Sequence, residues 1–227
     1  MTGSAAEDRL AGLLTSQLAP PWAIYRNAAW LEKQPGREPA DGEADLVVAH
    51  PGLGVMVIEV KGGGVRRVNG RWESVDRNGT AHQIKDPFAQ VTREMHALRR
   101  VCERLPEWPV HSVPFCRAVA LPDAAYPRQL VPDGPSEIVF DADDLATGSA
   151  LGLEARLREI FAWWQADPEY PGRAPGDIGC GRCTRSWRAT SRSCRRSRSA
   201  LPPTRRPSVR RTNSSPSWTC LAPSGGR

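Results

Sequence analysis

The stretch Gly54-Val-Met-Val-Ile-Glu-Val60-Lys61 constrains the fold of this chain more than any other. Val55 to Ile58 is an unbroken apolar run of strand length, the pattern of a strand covered on both faces. A sheet holding such a strand needs packed layers on each side. Just upstream, Ala44 to Ala49 is a second run of the same kind, and His50-Pro51-Gly52-Leu53 between them predicts a hairpin. One of these strands opens beside Asp45 and the other closes on Glu59, with Lys61 directly after it. Charged side chains are seldom buried without a partner, so the charged end of this hairpin is the candidate site.

With the turn centred on Gly52, residues whose numbers sum to 104 lie opposite each other, which sets Asp45 across from Glu59. Like charges facing each other on a sheet are destabilising, so the pair asks for a cation. Carboxylates completed by water and phosphate oxygens suit Mg²⁺ or Mn²⁺, which bind through few protein ligands. Such an ion polarises a phosphoryl oxygen and lowers the pKa of its bound water. The period of two along a strand puts Lys61 on the side of Glu59, where an ammonium can orient or deprotonate an attacking water and stabilise charge developing on phosphorus. An isolated Glu-x-Lys is more often a solvated face. Here the apolar run ahead of it, and Gly62-Gly63-Gly64 behind it, favour a site that a ligand approaches closely.

The remaining elements follow from periodicity. Ala5 to Leu18 carries Leu10, Leu13, Leu14 and Leu18 at helical spacing, with Ser4 as N-cap and Glu7 as its capping-box partner. Trp22 to Trp30 reads as a strand, and Gln34 to Gly42 as a polar loop. Val65 to Val68 and Arg71 to Val75 flank Asn69-Gly70, a strong hairpin signal. Pro87 opens a helix, Phe88 to Leu105, whose stripe is Phe88, Val91, Met95, Leu98, Val101, Cys102 and Leu105. Val113 to Leu121 and Glu137 to Phe140 are strand-like, and Leu151 to Trp164 is an amphipathic helix. The order predicts an α/β sandwich around a mixed central sheet flanked by helices.

Several of these segments together resemble a known family. Gly42-Glu43-Ala44-Asp45, the His50-Pro51-Gly52 turn, Val57-Ile58-Glu59-Val60-Lys61-Gly62-Gly63, Gly70-Arg71-Trp72 and Asp86-Pro87-Phe88-Ala89-Gln90 look like the nuclease-related domain, NERD, a branch of the PD-(D/E)XK nucleases. The resemblance covers roughly Ala5 to Asp144. It implies a restriction-endonuclease-like fold, with Asp45 and Glu59 as metal ligands and Lys61 as the catalytic lysine, acting on DNA phosphodiester bonds in processing or repair. Glu7, Glu43 and Gln90 match further motif positions. Glu7 reads equally as a capping residue, Glu43 as a loop residue and Gln90 as a polar helix position. Lys85, Arg93, Arg99, Arg100, Arg66, Arg67 and Arg71 form either a phosphate-binding rim or a solubilising surface. Trp72 reads as a half-buried strand aromatic in preference to a base-stacking platform.

Charge divides the chain in two. From Gly179 onward there are twelve Arg and no Lys, Asp or Glu, so +12 of a chain total of +6 lies there and residues 1–178 carry −6. The folded part therefore cannot hold a phosphate backbone by bulk charge. We read residues 1–178 as the nuclease-like domain and 179–227 as an Arg/Ser/Pro-rich tail with no capacity for a core. Cys102 and Cys116 lie in the first part and Cys180, Cys183, Cys194 and Cys220 in the second, with no disulfide framework in either and spacings that fit no common zinc knuckle. No signal peptide or bilayer-length apolar run is present, so a cytoplasmic protein is expected.

A nucleic-acid-binding arm is one reading of the tail, and a frameshift is a sharper one. Reading each codon one base earlier turns Cys180, Cys183, Trp187 and Cys194 into Leu, Val or Met at i, i+3, i+7 and i+14, a helix face. With GC-rich codons, Thr212 to Cys220 becomes Asp-Glu-Gln-Phe-Ala-Val-Leu-Asp-Leu, which is similar to the glutamine motif of a UvrD-like helicase. NERD domains often precede such helicases, so a helicase fused or associated in full-length relatives is an expected partner beside DNA. The rival functional readings are a non-cleaving DNA-binding module for a helicase and a tail-driven nucleic-acid binder with an inert folded part. Sequencing the gene across Gly179 tests the frameshift: the alternative frame is expected to stay open and helicase-like, and a stop-riddled frame would end the idea.

Overall fold

The computed structural model describes residues 5–32, 36, 38, 40–104, 108, 113–126, 134–146 and 150–167. The whole tail, the 178/179 boundary, Ser4, Leu105 and four residues of the expected polar loop (Gln34, Pro35, Arg37 and Pro39) lie outside them. In chain order the elements are α1 (Ala5–Gln17), β1 (Ala23–Glu32), β2 (Ala40–His50), β3 (Gly54–Val60), β4 (Gly64–Val68), β5 (Arg71–Val75), β6 (Ala81–Gln83), α2 (Pro87–Glu103) and β7 (Phe115–Ala120). A 3₁₀ turn (Ser136–Ile138), β8 (Val139–Phe140), α3 (Ala142–Ala146) and α4 (Ala150–Gln165) complete the described part.

Five strands form one mixed sheet in the order β1-β2-β3-β7-β8. β1–β2 and β2–β3 pair antiparallel, whereas β7 runs parallel to both β3 and β8. The expected α/β sandwich is the observed class. The central strand β3 is buried at all seven positions, as its apolar run predicts. α2 packs across β1, β2, β3 and β7, while α1 and α4 touch each other and lie against the sheet. Full burial of β3 requires cover on both faces, and these helices supply it.

Local chemistry sets the hairpins. The β2–β3 turn closes with Leu53 N–H donating to the His50 carbonyl at 3.2 Å, and Gly52 N–H donates to His50 Nδ1 at 3.0 Å. The β4–β5 turn places Asn69 and Gly70 at φ 49° and 76°, the left-handed pair that a tight hairpin needs. β5 also pairs with β6, making a separate three-stranded sheet. The expectation of a two-stranded hairpin missed β6 because Ala81-His82-Gln83 is short and fully exposed.

Other expectations need correction. β2 begins at Ala40, four residues earlier than the hydrophobic pattern implied, because its first rungs pair with β1 as far as Glu32–Ala40. Glu43 therefore lies on a strand and not in a loop. The expected strand from Glu137 to Phe140 is a 3₁₀ turn followed by two strand residues. The short helix α3 was not anticipated.

α2 carries the residues that face the candidate site, and its start is fixed by its sequence. The Asp86 side chain accepts hydrogen bonds from Phe88 N–H at 2.8 Å and Ala89 N–H at 3.1 Å, and Pro87 fills the first helical position. Phe88 then enters the core against Trp72, with ring centroids 5.7 Å apart. Asp86→Ala is expected to lower stability by about 1 kcal/mol, since two helix N–H groups lose their acceptor. Chemical denaturation checks this, and an unchanged midpoint would show that the cap is dispensable.

Candidate active site

The site forms where two strands part. The β2–β3 ladder runs from His50–Gly54 to Leu46–Ile58, every pair summing to 104, and it ends there. Asp45 and Glu59 are the next residues along this register. In place of another main-chain rung, Val60 N–H donates to Asp45 Oδ2 at 2.8 Å. On the other side, Lys61 N–H continues towards β7, donating to the Ala120 carbonyl at 2.9 Å. Asn27 of β1, at φ 49°, interrupts the β1–β2 ladder at the rung beside Asp45. The backbone thus opens at Asp45 on both sides.

Glu59 is 1% exposed. The Lys61 ammonium contacts its Oε1 as an ion pair, yet neither carboxylate oxygen of Glu59 receives an aligned hydrogen bond. Lys61 Nζ also donates to Gln90 Oε1 at 3.3 Å, and Gln90 Nε2 donates to Glu94 Oε1 at 3.1 Å. Asp45, Glu59, Lys61 and Gln90 are therefore brought together as the sequence led us to expect.

Burial dominates the electrostatics of this cluster. It pushes the Asp45 carboxyl up to about 7, reinforced by the negative charge of Glu59 and, more weakly, of Glu7. It pushes Glu59 up to about 8, with Glu94 as the next cause and Lys61 opposing. Glu94 rises to about 7, again chiefly through burial, with the hydrogen bond from Gln90 opposing and the charge of Asp45 reinforcing.

The other expected residues are placed differently. Glu7, on the first turn of α1, acts on Asp45 through its charge. Glu43 is exposed, and its carboxylate accepts from Asn27 Nδ2 at 2.9 Å, standing apart from the cluster. Of the basic rim, Arg66 pairs with Glu73, Arg99 with Glu103 and Arg100 with Glu32. Trp72 is buried in the core, with the Arg67 guanidinium 5.9 Å from its ring centroid, and so offers no stacking platform.

Glu94 escaped the sequence reading. It sits three residues after Val91 and four before Leu98, on the apolar stripe of α2 itself, and a carboxylate at a stripe position was the available signal.

Beyond Lys61 the chain turns sharply into β4. Gly63 has φ 82°, and a Cβ there would meet the Val75 carbonyl oxygen at 2.8 Å. Its N–H donates to Asp123 Oδ2 at 2.9 Å, and Arg9 of α1 pairs with the other oxygen at 3.0 Å. This strap borders an open cleft of about 520 Å³ lined by Ala5, Ala6, Gly62–Gly64, Ser74–Arg77 and Asp123.

The family model for the nuclease-related domain matches residues 2–116, which include β2, β3, Lys61 and the whole of α2. The chain belongs to the nuclease-related domain family. Comparison with curated proteins and with solved structures gave no match. The mixed five-stranded sheet with flanking helices is consistent with the nuclease-like fold of this family. No described helix is long and apolar enough to cross a membrane.

The residues of this nuclease-related domain fit a divalent cation in one respect that can be checked. Two buried oxygens of Glu59 and one of Glu94 receive no aligned hydrogen bond, and only Glu59 Oε1 meets the Lys61 ammonium, which leaves acceptor capacity for a cation or a proton. Among the described residues no group of three or more His, Cys, Asp or Glu forms a ready metal-ligand set. An ion at Asp45 and Glu59 would thus complete its shell with water and phosphate oxygens, as Mg²⁺ commonly does.

The raised carboxyls fix a pH dependence. Because Asp45, Glu59 and Glu94 bind protons more tightly folded than their usual values of 3.8 and 4.5 allow, the folded state gains on acidification and loses stability as pH rises from about 4 to about 8. Glu59→Gln carries no charge at any pH. In a chelator, its melting temperature relative to the parent chain is therefore expected to climb between about pH 5 and pH 9, and a flat difference across that range would contradict the electrostatics described.

Proposed function

We propose that this chain is a metal-dependent nuclease that hydrolyses DNA phosphodiester bonds, in DNA processing or repair and in partnership with a helicase. The observation that carries the reading is the buried Glu59 carboxylate, set beside Asp45 and met by the Lys61 ammonium as an ion pair but by no aligned hydrogen bond. A purely structural carboxylate buried this deeply is normally met by several donors or an arginine.

In this reading Asp45 and Glu59 hold Mg²⁺ or Mn²⁺, which supplies a polarised phosphoryl oxygen and an acidified water when bound. Lys61 points its ammonium at the same place, where it orients the attacking water and stabilises negative charge as it develops on the phosphate. Gln90 holds that ammonium through its carbonyl oxygen. Glu7 adds negative charge to the rim beside Asp45, which strengthens attraction for a cation. Val60 N–H fixes one Asp45 oxygen and leaves the other for the ion. Residues 1–178 carry −6, so productive contact depends on these local groups and not on bulk attraction.

The full chain is expected to nick plasmid DNA in Mg²⁺ or Mn²⁺ and not in chelator. Lys61→Ala, which keeps the same basic tail, is expected to lose activity by about 10²-fold or more, the scale on which single charge-stabilising groups act. Asp45→Asn is expected to weaken Mn²⁺ binding in calorimetry. DNA binding without any metal-stimulated cleavage would overturn the nuclease reading and favour a DNA-gripping module for a helicase.

A further inference from the structure

Two buried glutamates in this fold are treated in opposite ways. Glu32 is 4% exposed, and Arg100 grips both of its oxygens at 2.8 and 2.9 Å, with Arg104 at 3.5 Å. That is a structural ion pair on a site rim. Glu94 is 8% exposed and lies in the apolar stripe of α2, with Val91 and Leu98 fully buried a turn to either side. No arginine pairs with it among the described residues. Its Oε1 accepts from Gln90, its Oε2 has no hydrogen-bond partner, and its charge acts on Glu59. An uncompensated buried carboxylate works against stability, and an apolar side chain of similar volume there would favour the fold.

What Glu94 does supply is an orientation. A Gln side chain has an accepting end and a donating end, and packing alone scarcely distinguishes them. Glu94 Oε1 accepts from the Nε2 end of Gln90 at 3.1 Å, and that bond selects which end of the amide faces Glu94. The Gln90 carbonyl oxygen is thereby turned to the opposite side, where Lys61 Nζ donates to it at 3.3 Å. With the amide reversed, its NH₂ group would confront the ammonium, donor against donor. Both residues lie on one face of a helix, four apart, and Asp86 fixes the start of that helix.

We propose that Glu94 is a positioning residue: it locks the Gln90 amide so that its carbonyl holds the Lys61 ammonium beside the Asp45–Glu59 carboxylates. The use made of Lys61 rests on the nuclease reading, whereas the Glu94–Gln90–Lys61 chain of hydrogen bonds does not.

Two substitutions separate this role from packing and from metal ligation. Glu94→Met keeps volume on the stripe and removes the acceptor, and Glu94→Gln keeps shape but can donate or accept, so it no longer selects one face of Gln90. Both variants are expected to lower kcat by about 10²-fold with KM for DNA changed by less than about threefold, as for loss of alignment at the reacting centre. The melting temperature of Glu94→Met is expected to match or exceed that of the parent chain. Calorimetric affinity for Mn²⁺ is expected to stay within about threefold, in contrast to Asp45→Asn. A kcat within about threefold of the parent overturns the proposal, and so does an Mn²⁺ affinity lost as fully as in Asp45→Asn, which would make Glu94 a ligand. The Gln90 side-chain NH₂ resonances, identified by their loss in Gln90→Met, give a readout independent of activity. They are expected to shift and lose protection from exchange in Glu94→Met, and unchanged resonances overturn the proposal even for a chain that cuts no DNA.

Discussion

The site depends on a single substitution of hydrogen-bond partners: Val60 N–H bonds the Asp45 side chain where a main-chain rung would otherwise continue. A ladder that closed at this point would bring the strands together and leave no gap for a third body. A ladder that opened without a substitute would bury an unpaired N–H, at about 1–3 kcal/mol. The carboxylate resolves both difficulties. It satisfies the backbone and, in the same act, anchors one of its own oxygens at the mouth of the opening.

The surroundings of that opening explain why it is electrostatically unsettled. β3 is buried at every position, so Glu59 at its end is surrounded by low-dielectric protein, and α2 brings Glu94 against it. Three carboxyls pushed towards neutral pH, with one lysine among them, form an arrangement that a folded protein tolerates at a cost in stability. Groups displaced in this way concentrate at functional sites. The rest of the molecule shows how it deals with charges that serve structure alone: Glu32 is clamped by two arginines, and Asp123 is tied to Arg9 and to Gly63 N–H.

The scaffold shows a division of labour. The sheet delivers Asp45, Glu59 and Lys61 from one hairpin, so their relative placement follows from register and strand period. α2 delivers Gln90 and Glu94 from a separate element, placed by the Asp86 cap and by Phe88 in the core. The glycine strap after Lys61 turns the chain away into the small β4–β6 sheet and borders an open cleft.

How much of this was legible in the sequence depends on the range of the interaction that decides each feature. The hairpin, its register, the facing of Asp45 and Glu59, the side of Lys61 and the start of α2 were all readable, because turn closure, strand period and helix capping act over a few residues. The early start of β2, the third strand β6 and the collapse of the expected Glu137–Phe140 strand into a 3₁₀ turn were not, because each is set by pairing with a distant segment. Glu43 and Glu94 divide on the same principle. Both are acidic residues near recognisable motifs, and only the packing of β1 and α2 on the sheet sends one outward to Asn27 and the other inward to Glu59. The sequence by itself determined which residues hold the charges and on which strand face they lie. Tertiary structure alone decided how deeply they are buried, and thus how strongly the site seeks a cation or a proton, because desolvation comes from elements that meet only in the folded chain.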